Sequence, residues 1–283
     1  MTDEQRISSH YSSGSLMERL RAVLAAEGID PDRPTVAQLA PFDHFHGRGL
    51  EATQQAANLV AATPAGHILD VGSGIGGPAR YFADRFGCRV TGIDLTPEFC
   101  EVAQHVTRLL GLDDRVSFEV GNALSLPFGA ASFDGAYSIN VSMNIEDKAG
   151  FHREIARVLK QGGWAVLAEI AKGAGGDLEY PTPWARTGAT SFLSTADETR
   201  RSLTAAGLDI VAMQDTREQA LAYGARARAM VERGEKPPHR AVQLIHGGIA
   251  QAAMANSSRA LADGRIVPIE ILARKVTRAS REA

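Results

Sequence analysis

Between residues 68 and 80 the chain reads Ile-Leu-Asp-Val-Gly-Ser-Gly-Ile-Gly-Gly-Pro-Ala-Arg, an apolar run that ends near Asp70 and enters a turn with glycines at 72, 74, 76 and 77. A turn so bare of side chains lets backbone N–H groups approach a ligand closely. A second run, Cys88-Arg-Val-Thr-Gly-Ile-Asp94, also ends on a carboxylate, and two carboxylate oxygens accept from both hydroxyls of a ribose at once. The chemistry on offer is recognition of a hydroxyl-bearing ligand by backbone amides and carboxylates.

The glycines satisfy two templates. Gly72, Gly74 and Gly77 spell a dinucleotide GxGxxG, whereas Gly72, Gly74 and Gly76 spell the GxGxG of S-adenosylmethionine (SAM) sites. Asp70 discriminates between them. A carboxylate at that place repels a pyrophosphate, while SAM brings an α-ammonium and a sulfonium there.

Elements of a definite kind must hold these residues. From 64 to 172, short apolar strands (from 68 to the glycine turn, 88–94, 116–120, 133–139, 164–170) alternate with helical patterns at 78–86, 97–110 and 148–159. That alternation predicts a mostly parallel sheet with helices on both faces, and ligands bind beyond the carboxyl ends of its strands. Helices are also expected at 15–27 and 50–62, so residues 1–60 read as a helical cap and 61–283 as the main domain. A helix near 195–206 and a strand near 208–213 follow, and the last strand is expected at 266–273. The segment 217–263 between those strands is far longer than a hairpin requires and reads as a helical lid.

Composition narrows the partners. At 283 residues and 44% hydrophobic the chain suits one sizeable α/β domain with appendages, and its net charge of −3 carries no footprint for nucleic acid. Cys88 and Cys100 do not make a disulfide framework. The N-terminus lacks an apolar signal region and no apolar stretch is long enough to span a bilayer, so a cytoplasmic protein with a small-molecule partner is expected. Association into a homodimer is compatible with this composition.

The order of these motifs, with Gly121-Asn122-Ala123 after the third strand and Val158-Leu-Lys-Gln-Gly-Gly163 before the fifth, resembles the class I SAM-dependent methyltransferases over roughly residues 60–275. The stretches Leu39-Ala-Pro-Phe-Asp43, Gly49-Leu-Glu-Ala-Thr53, Val141-Ser-Met-Asn144, Tyr180-Pro-Thr-Pro-Trp184 and Phe192-Leu-Ser194 are similar to those of the sarcosine/dimethylglycine N-methyltransferase group and its type-11 neighbours. The resemblance implies a Rossmann-like, doubly wound sheet of seven strands. Its cofactor contacts would be Asp70, Gly72, Ser73, Gly74, Gly76, Asp94, Leu95, Asn122, Ala123, Ser138 and Ile139. Asn122 stands where relatives usually carry the Asp that accepts from the adenine amino group, and Asn140 where many carry His.

The expected catalytic contacts are His46, Asn140 and Tyr11, with Met143, Asn144, Trp184, Arg186 and Phe192 on the substrate side. Tyr11, Tyr180, Trp184 and Phe192 offer an aromatic face to a cationic amine, and Arg48 or Arg186 a bidentate clamp for a carboxylate. His44 and His46 without a cysteine or carboxylate cluster make a poor metal pair, so no metal is expected. Methyl transfer to the nitrogen of an amino-acid-like amine such as sarcosine or dimethylglycine is the leading expectation. Natural-product O-methylation and a non-catalytic SAM-binding module are the alternatives.

Overall fold

The computed structural model describes residues 2–276. Seven strands form one sheet in the order β3-β2-β1-β4-β5-β7-β6. They are β1 (His67–Val71), β2 (Arg89–Asp94), β3 (Val116–Val120), β4 (Phe133–Ile139), β5 (Leu159–Lys172), β6 (Leu208–Asp215) and β7 (Ile266–Lys275). β1 to β5 pair in parallel, and β7 runs antiparallel between β5 and β6. The expected doubly wound sheet is present, with the strand order reversing between β1 and β4.

The two-residue period of the strands sorts their side chains to opposite faces. Leu69, Val71, Ala165 and Leu167 point into a core shared with Phe151 and Ile155 of α7 (Lys148–Val158) and Leu203 of α8 (Ala196–Ala205). On the other face Ile68, Tyr137, Trp164 and Val166 pack against α4 (Leu50–Asn58), α5 (Gly77–Phe86) and α6 (Pro97–Leu109).

The remaining helices are α1 (Asp3–Tyr11), α2 (Leu16–Ala26) and α3 (Val36–Asp43) before the sheet, and α9 (Arg217–Glu232), α10 (Ala241–His246) and α11 (Ala250–Ala262) between β6 and β7. Leu16, Leu20 and Leu24, one turn apart, join Phe42, Phe99 of α6 and Leu244 of α10 in one cluster. The N-terminal helices and the inserted segment therefore pack on each other as well as on the sheet. Two details differ from the periodicity reading. The helix expected over 50–62 stops at Asn58, and α1 falls on a stretch too polar to advertise a helix, where Thr2 and Gln5 form a reciprocal cap instead.

Candidate active site

The glycine turn folds back over the end of β2. Gly72 and Ser73 donate their N–H groups to Ile93 O at 2.8 and 3.0 Å, and Gly74 N–H reaches Asp94 Oδ2 at 2.8 Å. Thr96 N–H takes the other oxygen of Asp94 at 2.9 Å. Gly74 holds φ at +53°, and a Cβ there would meet nothing within 4 Å, so the turn presents open backbone to a cleft.

That cleft is lined by Gly72, Gly74, Asp94, Leu95, Asn122, Ala123 and Ile139, all expected at a cofactor site. Ile7 and Tyr11 of α1, Phe45, Thr96, Phe99, Asn140, Val141 and Asn144 complete it. Desolvation pushes the Asp94 carboxyl up, and the N–H groups of Thr96 and Gly74 oppose that shift.

Four expected contacts stand elsewhere. The buried Asp70 carboxyl lies beneath the turn and accepts from Tyr137 Oη at 2.9 Å, and burial pushes its pKa up to about 8. It is held as a structural acid and is not on the cleft wall. Gly76 is demanded by packing, since a Cβ there would fall 2.4 Å from the Phe118 ring. Ser73 is buried with no hydrogen-bond partner for its hydroxyl. Ser138 is buried and gives its hydroxyl to Glu169 Oε1 at 3.0 Å.

Glu169 was silent in the sequence and proves to organise the loop after β4. Its carboxylate accepts from Val141 N–H, Ser142 N–H and Ser142 Oγ at 2.9–3.2 Å, and burial pushes its pKa up to about 7. Lys148 clamps the same loop from the other side, donating to Ser142 O at 2.7 Å and also to the carbonyls of Ile145 and Phe192.

A second cavity adjoins the cleft and shares Tyr11, Phe45 and Asn140 with it. Its walls are mostly apolar: Met143, Ile170, Trp184, Met254, Leu261 and Ile266 among them, with Tyr223 and Val242 from the inserted helices. Polar groups gather near the turn that precedes α4, where His46, Arg48 and His239 stand. Met143 and Trp184 are therefore on the expected side. Arg186 and Phe192 are not on this wall; Phe192 is tied through its backbone to Met143 O at 2.7 Å and presents no ring to the cavity.

Asn140 sits at the boundary with φ at +56°, and its Oδ1 accepts from Gly47 N–H at 3.1 Å. Asparagine is the non-glycine residue that tolerates that region best, and the turn it makes there brings its amide to the boundary of the two spaces. Tyr11 Oη donates to Asn144 Oδ1 at 2.7 Å, while Asn144 Nδ2 is spent on Trp184 O and Thr190 O, both at 2.8 Å. Burial pushes the Tyr11 phenol up, so it stays protonated at neutral pH.

Among the described residues no helix is long and apolar enough to cross a membrane. The Methyltransferase domain family matches residues 69–167. Methyltransferase GfsG of Streptomyces halstedii is 29% identical over 221 residues, 76% of this chain and 77% of that protein. An O-methyltransferase of Pyrenophora dematioidea is 30% identical over 190 residues, 67% of this chain and 68% of that protein. In fold, the crystal structure of geranyl diphosphate C-methyltransferase from Streptomyces coelicolor A3(2), solved with S-adenosyl-L-homocysteine, matches with a TM-score of 0.70 at 20% identity, covering 98% of this chain and 99% of that one. The strand order, the glycine turn over Asp94 and these relatives agree: the chain belongs to the class I SAM-dependent methyltransferases.

Proposed function

We propose that this methyltransferase binds SAM in the cleft over Asp94 and methylates a mostly apolar, natural-product-like small molecule held in the adjoining cavity. The observation that carries the reading is the shared wall: Tyr11, Phe45 and Asn140 belong to both spaces, so a methyl group at the inner end of one faces an acceptor in the other.

In the cleft, Asp94 would hold the ribose hydroxyls, Leu95 and Ala123 would flank the adenine, and the open backbone of Gly72 and Gly74 would lie along the amino-acid part. SAM supplies an already activated methyl group, so the protein's task is to align the acceptor about 3–3.5 Å from that carbon and exclude water. Residues 1–60 serve as a cap in this reading, and 217–263 as a lid on the catalytic domain 61–283. The acidic balance, net −3, supports a small-molecule acceptor rather than nucleic acid, and the composition supports a cytoplasmic setting.

The choice of acceptor follows from the walls. Of the two expected carboxylate clamps Arg48 stands on the wall and Arg186 does not, but the amine of sarcosine or dimethylglycine needs polar surroundings and most of the lining is apolar. Apolar area removed from water is worth about 25 cal/mol per Å², so a ring system gains from this cavity what an amino acid does not. Calorimetry in the presence of S-adenosylhomocysteine, comparing a naphthol with sarcosine, tests the reading: the naphthol is expected to bind and sarcosine not. Transfer of a labelled methyl group to sarcosine alone would restore the amine reading, and SAM binding with no methylated product from any acceptor would favour a non-catalytic module.

A further inference from the structure

The polar end of the second cavity is built with unusual care. His46 and Arg48, only 7% and 9% exposed, both line the cavity. His46 Nε2 lies 3.0 Å from Gly49 O and 3.1 Å from Thr53 Oγ1. A carbonyl oxygen only accepts, so Nε2 carries the ring hydrogen and Nδ1 keeps its lone pair. Thr53 is itself tied to His44 Nδ1 at 2.9 Å, which fixes the hydroxyl that steadies the ring.

Arg48 is positioned just as firmly, at φ +65°. Its Nη1 donates to Gln55 Oε1 at 2.7 Å, and Gln55 Nε2 donates onward to the buried Glu270 at 2.6 Å, where Gln214 of β6 also donates at 2.7 Å. No described hydrogen bond engages Nε or Nη2 of Arg48. A guanidinium held from behind by one nitrogen leaves a donor edge for an anionic oxygen.

We propose that the acceptor carries an acidic hydroxyl, such as a phenol or enol, beside a second anionic oxygen, and that His46 Nδ1 takes the hydroxyl proton while Arg48 holds the neighbouring oxygen. This rests on the second cavity being the acceptor site. In the transfer, the O–H bond breaks with its proton going to Nδ1, and the oxygen pair forms the new O–C bond. The C–S pair stays on sulfur, which leaves as a neutral thioether. Burial above all, with Arg48 and the neighbouring His44 and His239 acting in the same direction, holds the His46 imidazole well below its ordinary pKa, so at neutral pH the lone pair is free. The groups facing it are His44, His239 and Arg48; Arg48 in turn faces Glu270, Glu51 and Tyr223.

The experiment uses the full chain with labelled SAM and three probes: a naphthol, the matching ortho-hydroxynaphthoic acid and the matching naphthylamine. With S-adenosylhomocysteine present, the hydroxy acid is expected to bind at least about tenfold tighter than the naphthol, and Arg48→Gln to erase that difference while Arg48→Lys retains part of it. His46→Gln keeps a donor for Gly49 O but no basic lone pair. It is expected to lower kcat on the naphthol about 100-fold near neutral pH, with the deficit shrinking as the solution pH nears a simple phenol's own pKa of about 10.

A deficit equal at every pH, or one that appears in His239→Gln instead, would overturn the role of His46. Equal affinity for the hydroxy acid and the naphthol would overturn that of Arg48, and exclusive methylation of the naphthylamine would overturn both. Should none of the three probes bind, the apolar-acceptor reading itself falls. Unchanged melting and S-adenosylhomocysteine affinity in each variant exclude misfolding as the cause.

Discussion

The side-chain amide of Asn122 donates to Glu4 Oε1 at 2.6 Å, joining two residues 118 positions apart across the mouth of the cleft. Its oxygen is also engaged, accepting from Leu124 N–H at 2.8 Å. Asn122 is therefore matched to α1 and to its own turn, and the amide suits that pairing where an aspartate would not. Placing Asp there sets two carboxylates against each other. Asn122→Asp is expected to weaken SAM binding by up to about 1 kcal/mol, the scale of an exposed polar pair, and the double variant with Glu4→Gln to recover it. Titration calorimetry on the three variants decides; tighter binding by the single variant would return Asn122 to the adenine.

Asp94→Ala removes the acceptor of Gly74 N–H and Thr96 N–H together with the proposed ribose contact. Loss of hydrogen bonds to a charged group costs about 1.5–3 kcal/mol, so SAM affinity should fall by roughly tenfold to 150-fold. Asp94→Asn, which keeps one acceptor oxygen, should fall less. Equal affinity in all three proteins would dissociate Asp94 from the cofactor.

Asp70 makes stability depend on pH in an identifiable direction. Its carboxyl is raised from the usual 3.8 to about 8 in the folded chain, so between those values the folded state holds a proton that the unfolded state has released. Stability from this group is then present at low pH and is lost as pH rises through that window. Glu169, raised to about 7, acts in the same sense. In Asp70→Asn the titration is gone, and the difference in Tm between variant and parent should climb steadily from about pH 4 to about pH 8. A difference that stays flat would show that the buried carboxyl does not titrate in this range.

The parts of the site that were legible in the sequence are those built from adjacent residues. A strand end, a glycine turn and a carboxylate at the next strand end are each set by local order, and the sheet between them follows from two-residue and helical periods. Tyr11 and Phe45 arrive on the cleft through packing of the N-terminal helices against α6 and α10, a relationship no spacing encodes. Glu169 and Glu270 looked like ordinary strand residues; only burial beside particular donors gives them a role. Arg186 and Phe192 failed for the converse reason. Their types suited a substrate, but Arg186 is exposed off the cavity wall and Phe192 is tied through its backbone to Met143 O at 2.7 Å.

Gly224 offers a way to separate the two spaces. It lies on α9 along the second cavity, away from the cleft, and a Cβ added there meets only Arg228 Nη1, at 3.5 Å, the end of a flexible side chain. Its backbone is helical, so a larger residue costs no strain and relieves the roughly 0.5–1 kcal/mol penalty of glycine within a helix. Gly224→Phe should therefore fold at least as stably as the parent while filling the acceptor cavity. SAM affinity is expected to stay within about twofold, and the affinity for a naphthol in the presence of S-adenosylhomocysteine to fall about tenfold or more as the volume is taken. If the bulky residue weakened SAM and acceptor equally, the two spaces would be one site, and the division of labour between the cleft over Asp94 and the cavity beneath α9 would have to be given up.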